Sequence, residues 1–473
     1  MSADECRPLL TPNKAHEKWI RTATLARVVT FASSFSEGWE IALFALVLVP
    51  ITKEFGLTSM QVGMLASLPL LAAALGYLIM SWVMDVVGRK PAIIATYVMQ
   101  FVGCLVMATA PDIMTLAIGR SILSIGIKSG VTCVSVYMTE LSPATHRGAL
   151  VSIEEIYINV GILAATFAAW IMMGVEMISW RVFVAAGAIA PALSLLCILP
   201  PQVPESPRYL HIQGRAEEAQ EVLRSALDGD EDEISKTLDL WQKEAKIEEA
   251  QTQMTWEECV QELCSLFKHR GFQISSACWL CRAASGIAIM GTYGALFLTG
   301  HGQETTLRWF VAAQVAKTAA LLPSVLWLID SFGRRTLFLV SAVCCCLVMG
   351  AAATCKVMEV HFYLFAGCVV AYFMCFSIGY GPVVWVYCFE ILPAELRGRA
   401  AAVSILIGDT LNFILIGIGP ILWEYHSALP FSVLAITNLC AVGFFWCACP
   451  ETKGMLLEEA KGLFQVSQNS RAV

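Results

Sequence analysis

Charged residues are scarce in this chain. They make up 15% of the 473 residues, whereas a soluble domain carries about 25%. Hydrophobic residues make up 57% of the sequence, and the mean hydropathy is +0.66. So little charge in so apolar a chain excludes an ordinary soluble globular domain and predicts an integral membrane protein.

The sequence also lacks the patterns of several functional classes. It has no nucleotide-binding loop, no metal-ligand cluster and no nucleophile–base spacing, and its seven histidines are scattered. Its 18 cysteines show no zinc or disulfide spacing, so we interpret them as small apolar packing residues. The net charge of −7 gives no indication of nucleic-acid binding. We therefore expect no enzyme, no cofactor, no metal and no nucleic-acid partner.

Long apolar runs stand where charge is missing. Residues 430–449 contain no charged side chain, and a run of about 20 such residues crosses a bilayer as a helix. We predict twelve membrane spans. They lie near residues 26–50, 61–83, 91–110, 113–137, 149–173, 180–199, 272–299, 306–329, 336–355, 360–388, 400–424 and 430–449.

One long polar segment separates the sixth and seventh predicted spans. It contains "DGDEDE" and "WQKEAKIEEAQTQ", which predict a solvated acidic turn and short amphipathic surface helices. The predicted organisation is an N-terminal tail over 1–25, a six-span half over 26–200, a linker over 201–270, a second six-span half over 271–449 and a C-terminal tail over 450–473.

Basic residues occupy alternate loops, including Arg89 and Lys90 in the first half and Arg334 and Arg335 in the second. By the positive-inside rule, these loops, the linker and both termini face the cytosol. The polar N-terminus has no apolar signal-peptide region. Its stretch "ECRPLL", with Glu5, Leu9 and Leu10, resembles an acidic dileucine sorting signal. We expect the plasma membrane rather than an endomembrane.

The two halves repeat one another. "DVVGRK" at 85–90 matches "DSFGRR" at 330–335, and "ELSPATHRG" at 140–148 matches "EILPAELRG" at 390–398. "PESPR" at 204–208 matches "PETKG" at 450–454 at nearly the same offset. Three matches in register indicate two homologous halves of six spans, which is the architecture of an alternating-access transporter.

The repeated motifs bring acids and arginines to the predicted cytosolic face. The glycine of each Asp-x-x-Gly-Arg turn permits a tight connection. We expect a ring of ion pairs that joins the halves when the site opens outward and breaks when it opens inward, since exposed pairs are individually weak. The alternative is that these residues mark only orientation and helix ends. The predicted gate residues are Asp85, Arg89, Glu140, Arg147, Glu205, Asp330, Arg334, Glu390, Arg397 and Glu451.

Together these motifs resemble the sugar porter family of the major facilitator superfamily. The resemblance rests on "DVVGRK", "GRSILSIGIKSG", "ELSPATHRGAL", "PESPRYL", "DSFGRR", "GPVVWVYCFEILPAELRGRA" and "PETKG". "WVYCFEILP" and "QVAKTAALLPSVLWLIDSFGRR" are most similar to the proton-coupled sugar and polyol branches. The resemblance implies an all-α membrane protein with the major facilitator fold, two pseudo-symmetric six-helix halves and a cytosolic helical linker. It also implies transport of a sugar, a polyol or a derivative, by uniport or by proton symport, and we expect proton coupling and a functional monomer.

The resemblance assigns a proton-coupling pair. "GWE" places Glu40 where proton-coupled members carry an aspartate, and Arg120 of the fourth span is its usual partner. A carboxylate inside a membrane span is costly and is a functional candidate by default. It stays ionised while paired, and desolvation favours its protonation when the pair separates. The alternative is a static structural ion pair.

Several substrate-binding positions of the family are changed here. Glu155 and Arg282 stand where the family carries glutamines, and Asp409 stands in place of a tryptophan. Amides donate and accept hydrogen bonds with hydroxyls, whereas these replacements bring charge. The predicted substrate-binding residues are Glu155, Arg282, Tyr293, Trp385, Asp409 and Asn412.

The charges leave several hypotheses open. Lys128 and Lys317 add cations in the fourth and eighth spans, and we expect Lys128 to pair with an acid rather than snorkel. Glu154 points away from the cavity if Glu155 faces it, because neighbouring helical residues lie about 100° apart. A charged lining favours a zwitterion, an organic ion or a charged sugar derivative. Alternatively, Glu155 pairs with Arg282 and leaves a modified polyol site. A non-transporting sensor is the rival from another class.

Overall fold

The computed structural model describes the backbone of residues 14–141, 147–174, 179–200, 203–226, 266–299, 302–392 and 397–454, with isolated positions between 234 and 241. Side chains are described from residue 28 onward, with gaps that include 142–154 and 393–399. The sorting-signal resemblance near the N-terminus, most of the predicted acidic linker and the tail after residue 454 therefore lie outside the described residues.

Within the described residues, twelve helical segments are long and apolar enough to cross a membrane. Large apolar side chains such as Leu75, Ile79 and Trp82 are exposed on their outer surfaces, as contact with lipid requires. The predicted all-α fold with twelve spans is thus confirmed. In chain order, spans 1 to 12 belong to Lys14–Phe55, Ser59–Val87, Arg89–Ala108, Ile113–Leu141, Arg147–Gly174, Trp180–Ala186 with Ile189–Ile198, Arg270–Ala284 with Ile287–Phe297, Gln303–Pro323 with a π-helical turn Ser324–Leu328 and Ile329–Phe332, Arg334–Val357, Phe362–Ile378 with Tyr380–Ile391, Arg397–Tyr425, and Leu429–Ala448.

Spans 7 and 10 are interrupted near their middles. Span 7 breaks at Gly286, whose φ of 92° lies in the left-handed region that glycine favours. The carbonyl oxygen of Ser285 is freed by this break and accepts a hydrogen bond from the Tyr372 hydroxyl at 3.0 Å. Span 10 breaks at Gly379, where a Cβ would lie 2.3 Å from the Leu337 carbonyl oxygen. Interrupted helices of this kind are tolerated at membrane depth where protein or a cavity surrounds the backbone.

Small residues bring the spans together. A Cβ on Gly38 of span 1 would lie 1.9 Å from the Ile158 carbonyl oxygen of span 5, and one on Gly161 would lie 2.2 Å from that of Phe35. Their backbones are therefore in direct contact, as glycine permits between membrane helices. The cysteines that the structure describes are free thiols, and most of them are buried or half-buried.

We call the end of the bundle where span 2 meets span 3, and span 8 meets span 9, the motif face. Two short helices of the central segment, Pro207–Ile212 and Ala216–Ala226, follow span 6. The Tyr209 hydroxyl donates to the Val86 carbonyl oxygen at 3.0 Å, which ties the first of these helices to the motif face.

The halves meet through spans 1 and 7, 2 and 11, and 5 and 8. A close approach joins Gly63 to Gly417, because a Cβ on Gly63 would lie 2.2 Å from the Gly417 carbonyl oxygen. Gly63 lies near the start of span 2 and Gly417 near the end of span 11. This contact therefore lies towards the face opposite the motif face.

Candidate functional site

Arg89 begins span 3 and is held by acids of its own half. Its Nε and Nη2 donate to the two carboxylate oxygens of Glu140, each at 3.0 Å, and its Nη1 lies 3.3 Å from Asp85. The Arg89 and Glu140 side chains are both 7% exposed, so they form an enclosed bidentate pair. The Ser206 hydroxyl also donates to Glu140.

The second half repeats this arrangement in a more open form. Arg334 Nη2 donates to Glu390 at 3.0 Å, and Arg334 Nη1 lies 3.5 Å from Asp330. The Thr452 hydroxyl donates to Glu390 at 2.6 Å, as Ser206 does to Glu140. The Arg334 and Glu390 side chains are 13% and 22% exposed, so water reaches this pair more easily.

Glu205 and Glu451 bind backbone rather than arginine side chains. Glu205 accepts from the backbone N–H groups of Arg89 and Lys90 at 2.9 and 3.1 Å. Glu451 accepts from those of Arg334 and Arg335 at 2.8 and 3.0 Å. Unpaired N–H groups and the helix dipole attract a carboxylate to each helix N-terminus.

The glycines of the two turns make room for these carboxylates. A Cβ on Gly88 would lie 2.5 Å from a Glu205 oxygen, and one on Gly333 would lie 2.6 Å from a Glu451 oxygen. The φ of 102° at Gly88 and 85° at Gly333 also favours glycine.

The predicted ion-pair ring that joins the two halves stays a prediction, because it is expected to break when the site opens towards the motif face, and here the contact of Gly63 with Gly417 holds the opposite face together. Each described ion pair of this set lies within one half, because Asp85 and Asp330 lie one helical turn from their own arginines and Glu140 and Glu390 come from neighbouring spans. The side chains of Arg147 and Arg397 lie outside the described residues. At the motif face the structure describes two separate clusters.

The unequal burial of the two clusters leads to a stability prediction. We expect Glu140→Gln to lower the apparent melting temperature of the purified protein more than Glu390→Gln does. Loss of one partner from a fully buried pair costs about 3–5 kcal/mol, and solvent screening reduces this cost for a more exposed pair. Glu304→Gln, in an exposed pair with Arg308, is the control and should have little effect. Equal losses from both clusters would contradict this expectation.

Glu40 and Arg120 pair inside the first half. Arg120 Nη1 donates to Glu40 Oε1 at 2.9 Å, and the side chains are 9% and 14% exposed for Arg120 and Glu40 respectively. The guanidinium also lies over the Phe44 ring, 3.2 Å from its centroid. Arg120 is therefore held by two contacts, the ion pair with Glu40 and a cation–π interaction with Phe44.

A small cavity adjoins this pair. Ser36, Trp39 and Gln100 line it together with Glu40. Ser36 Oγ, Trp39 Nε1 and Gln100 Oε1 are buried without a hydrogen-bond partner among the described residues. Polar atoms arranged in this way suit a buried water molecule next to the Glu40 carboxylate.

A second ion pair lies one helical turn from Glu40. Lys128 of span 4 donates to Glu37 of span 1. The Glu37 side chain is 7% exposed and that of Lys128 is 45% exposed, although Lys128 lies near the middle of its span. Lys128 therefore borders an open space inside the bundle. Sequence reasoning missed Glu37. The available signal was that Glu37 precedes Glu40 by three residues in span 1, while Lys128 follows Arg120 by eight residues in span 4. Both spacings keep the residues on one side of their helices, so a second acid–base pair could be expected beside the first.

Charged groups from both halves surround that space, which we call the central cavity. Lys128 of the first half interacts electrostatically with Asp409 and Arg282 of the second. Lys317 of the second half interacts with Glu155 of the first and with Arg282. The structure thus brings together five charged residues that the sequence singled out, at the meeting point of spans 4, 5, 7, 8 and 11. The side chain of Glu154 lies outside the described residues.

Glu155 and Arg282 form no ion pair with each other among the described residues. Glu155 Oε1 accepts from Asn159 Nδ2 at 3.3 Å. The Arg282 guanidinium lies over the rings of Trp279 and Phe376, 5.3 and 5.8 Å from their centroids. The hypothesis that these two residues neutralise each other therefore lacks support in this conformation.

The remaining predicted binding residues have different surroundings. The Trp385 ring packs edge-on against Trp279 with centroids 4.8 Å apart. Asn412 Nδ2 donates to Asp409 Oδ1 at 3.3 Å. Tyr293 is completely buried and its hydroxyl donates to the Ile416 carbonyl oxygen at 2.8 Å. In this conformation it packs between spans 7 and 11, and its role in substrate binding stays a prediction.

The twelve-span fold, its repeated motif clusters and a charged cavity between two halves define a membrane transporter of the major facilitator type that works by alternating access. The sequence profile described as "Sugar (and other) transporter" matches residues 25–464. The chain belongs to this family of transporters and is an integral, multi-pass membrane protein rather than an enzyme.

Individual relatives agree with this assignment. The probable polyol transporter 4 of Arabidopsis thaliana is 29% identical over 469 residues, covering 94% of this chain and 86% of that protein. The glucose transporter GlcP of Staphylococcus epidermidis is 26% identical, with 89% and 93% covered. An inward-open structure of the xylose transporter XylE from E. coli is 20% identical and superposes with a TM-score of 0.76, covering 94% of this chain and all of that one.

Proposed function

We propose that this transporter moves a small polyhydroxylated solute of the sugar or polyol type and couples its movement to protons. Relatives named as polyol and glucose transporters support the solute class. A structural relative described as a proton:xylose symporter supports the coupling. The main support from this chain is the Glu40–Arg120 pair, an enclosed acid and base within the membrane.

The pair supplies a physical route to coupling. While Arg120 donates to Glu40, the two opposite charges satisfy each other inside the membrane. A movement that separates them leaves a carboxylate in a low-dielectric site, where protonation costs less than an unpaired charge. Proton binding and helix movement therefore depend on each other, as a symporter requires.

The same proposal covers orientation and assembly. The motif face carries Arg89, Lys90, Arg334 and Arg335, so we assign it to the cytosol together with both termini. The plasma membrane is the proposed location. A monomer suffices for transport, because the central cavity is built from the two halves of one chain.

Flux measurements test the proposed function. We expect purified protein in liposomes to exchange a labelled sugar or polyol across the membrane, and to concentrate it when an inward proton gradient is imposed. A panel of hexoses, pentoses, inositols and linear polyols identifies the solute. Binding without any exchange would contradict transport and support the sensor alternative. Exchange of a solute that a proton gradient does not concentrate would contradict coupling.

A further inference from the structure

Two cations of the second half, Arg282 and Lys317, border the central cavity and form no ion pair with the described residues. Within the described residues, the Arg282 guanidinium makes ring contacts but no hydrogen bond or ion pair. Lys317 also forms no hydrogen bond or ion pair with the described residues, although it is only 9% exposed. Unpaired cations inside a membrane protein are costly, and the usual remedy is an anionic partner.

Further donors near Arg282 also lack acceptors. Arg282 Nε and the indole nitrogens of Trp279 and Trp385 are buried without a hydrogen-bond partner among the described residues. The two indole rings are in contact, and Arg282 lies over one of them. This wall therefore offers N–H groups and no matching oxygen, so a ligand that carries acceptor atoms would complete it.

The acids of the cavity are better supplied with partners. Glu37 is paired with Lys128, which also attracts Asp409. Glu155 and Asp409 each accept a hydrogen bond from an asparagine amide at 3.3 Å. Arg282 Nε and the two indole nitrogens, in contrast, have no acceptor among the described residues, and a negatively charged oxygen of a ligand would supply a strong one.

We infer that the central cavity binds a polyhydroxylated solute with an anionic group, a carboxylate or a phosphate, and that Arg282 and Lys317 bind this group. The inference rests on the proposed function for the polyhydroxylated body of the solute. An anionic group forms charge-assisted hydrogen bonds with a guanidinium and with an ammonium, which are the two groups that Arg282 and Lys317 offer. Glu155 and Asp409 accept hydrogen bonds from the hydroxyl groups.

Equilibrium binding to the purified full-length protein tests this inference. The neutral probes are D-glucose and sorbitol, the carboxylates are D-glucuronate and D-gluconate, and the phosphate is D-glucose 6-phosphate. We expect at least one anion to bind tenfold or more tightly than its neutral parent. Arg282→Gln and Lys317→Gln should each lower the ratio of the anion's affinity to that of its neutral parent by about tenfold or more, as expected for a lost charge-assisted hydrogen bond. The carboxylate and phosphate arms identify the anion.

Lys356→Gln is the matched control. Lys356 lies at the end of span 9, with its ammonium 4.0 and 5.1 Å from the ring centroids of Phe365 and Trp423, so it should leave the anion preference intact. If the glutamine variants do not fold, Arg282→Lys keeps the charge and must retain a preference for the anion.

The outcomes separate this inference from the proposed function. Neutral solutes that bind as tightly as the anions, or a panel in which none binds, would overturn the inference. If a neutral polyol is still exchanged across liposomes in that case, the proposed function stands. If an anion binds tightly through Arg282 and Lys317 but no solute crosses the membrane, the anion site is supported and the proposed transport function is contradicted.

Discussion

Glu40→Gln is expected to abolish accumulation of the solute against its gradient while it leaves exchange intact. Glutamine keeps the shape of the side chain and an oxygen that accepts from Arg120, whose Nη1 lies 2.9 Å from the native carboxylate. It has no carboxyl group that takes up and releases a proton. The internal concentration of labelled solute should therefore rise only to the external one, and the pH dependence of uptake should disappear.

The control for this experiment is Glu304→Gln, which makes the same chemical change in an exposed pair with Arg308 at the start of span 8. It should accumulate solute as the native protein does. If Glu40→Gln accumulates solute with an unchanged pH dependence, then Glu40 is a structural ion pair and the proton uses another group. The Glu37–Lys128 pair, one turn away on the same two helices, is then the next candidate.

Gly63→Val is expected to reduce uptake by about tenfold or more without unfolding the protein. The added side chain would begin 2.2 Å from the Gly417 carbonyl oxygen, so spans 2 and 11 have to separate. Overpacking costs about 1–3 kcal/mol, and it acts on the conformation in which these helices touch. The equilibrium between conformations therefore shifts towards the one that is open at this face.

Uptake into liposomes and the apparent melting temperature together check this prediction. Gly443→Val is the matched control, since Gly443 also lies inside a membrane helix and a Cβ there meets no atom within 4 Å. It should transport normally. Native uptake by a folded Gly63→Val protein would show that the Gly63–Gly417 contact is not needed for transport.

The fold was predictable because its signals are repeated along the chain. The twelve apolar runs indicate membrane helices, and the three motif matches at nearly one offset indicate a duplication. Glu40 and Arg120 were also accessible from sequence, because each lies within a recognisable family motif. Their hydrogen bond could be anticipated without knowing how spans 1 and 4 pack.

What sequence reasoning missed depends on packing between distant helices. The partner of Lys128 became visible only when span 1 lay beside span 4 and Glu37 turned towards it. The roles of Glu205 and Glu451 depend on backbone N–H groups, which charge pairing in a sequence cannot reveal. Tyr293 occupies a substrate-binding position of the family. Its hydroxyl nevertheless donates to a backbone carbonyl, because span 11 packs against it and brings Ile416 within reach.

The two arginine–glutamate clusters at the motif face, each contained within one half, have a thermodynamic consequence. Arg89 with Glu140, and Arg334 with Glu390, are satisfied inside separate halves. If each half moves as a rigid body, these pairs contribute the same free energy to both conformations and cancel from the difference between them. The preferred direction of opening is then set by contacts that exist in only one conformation, such as Gly63 against Gly417, and by the bound solute.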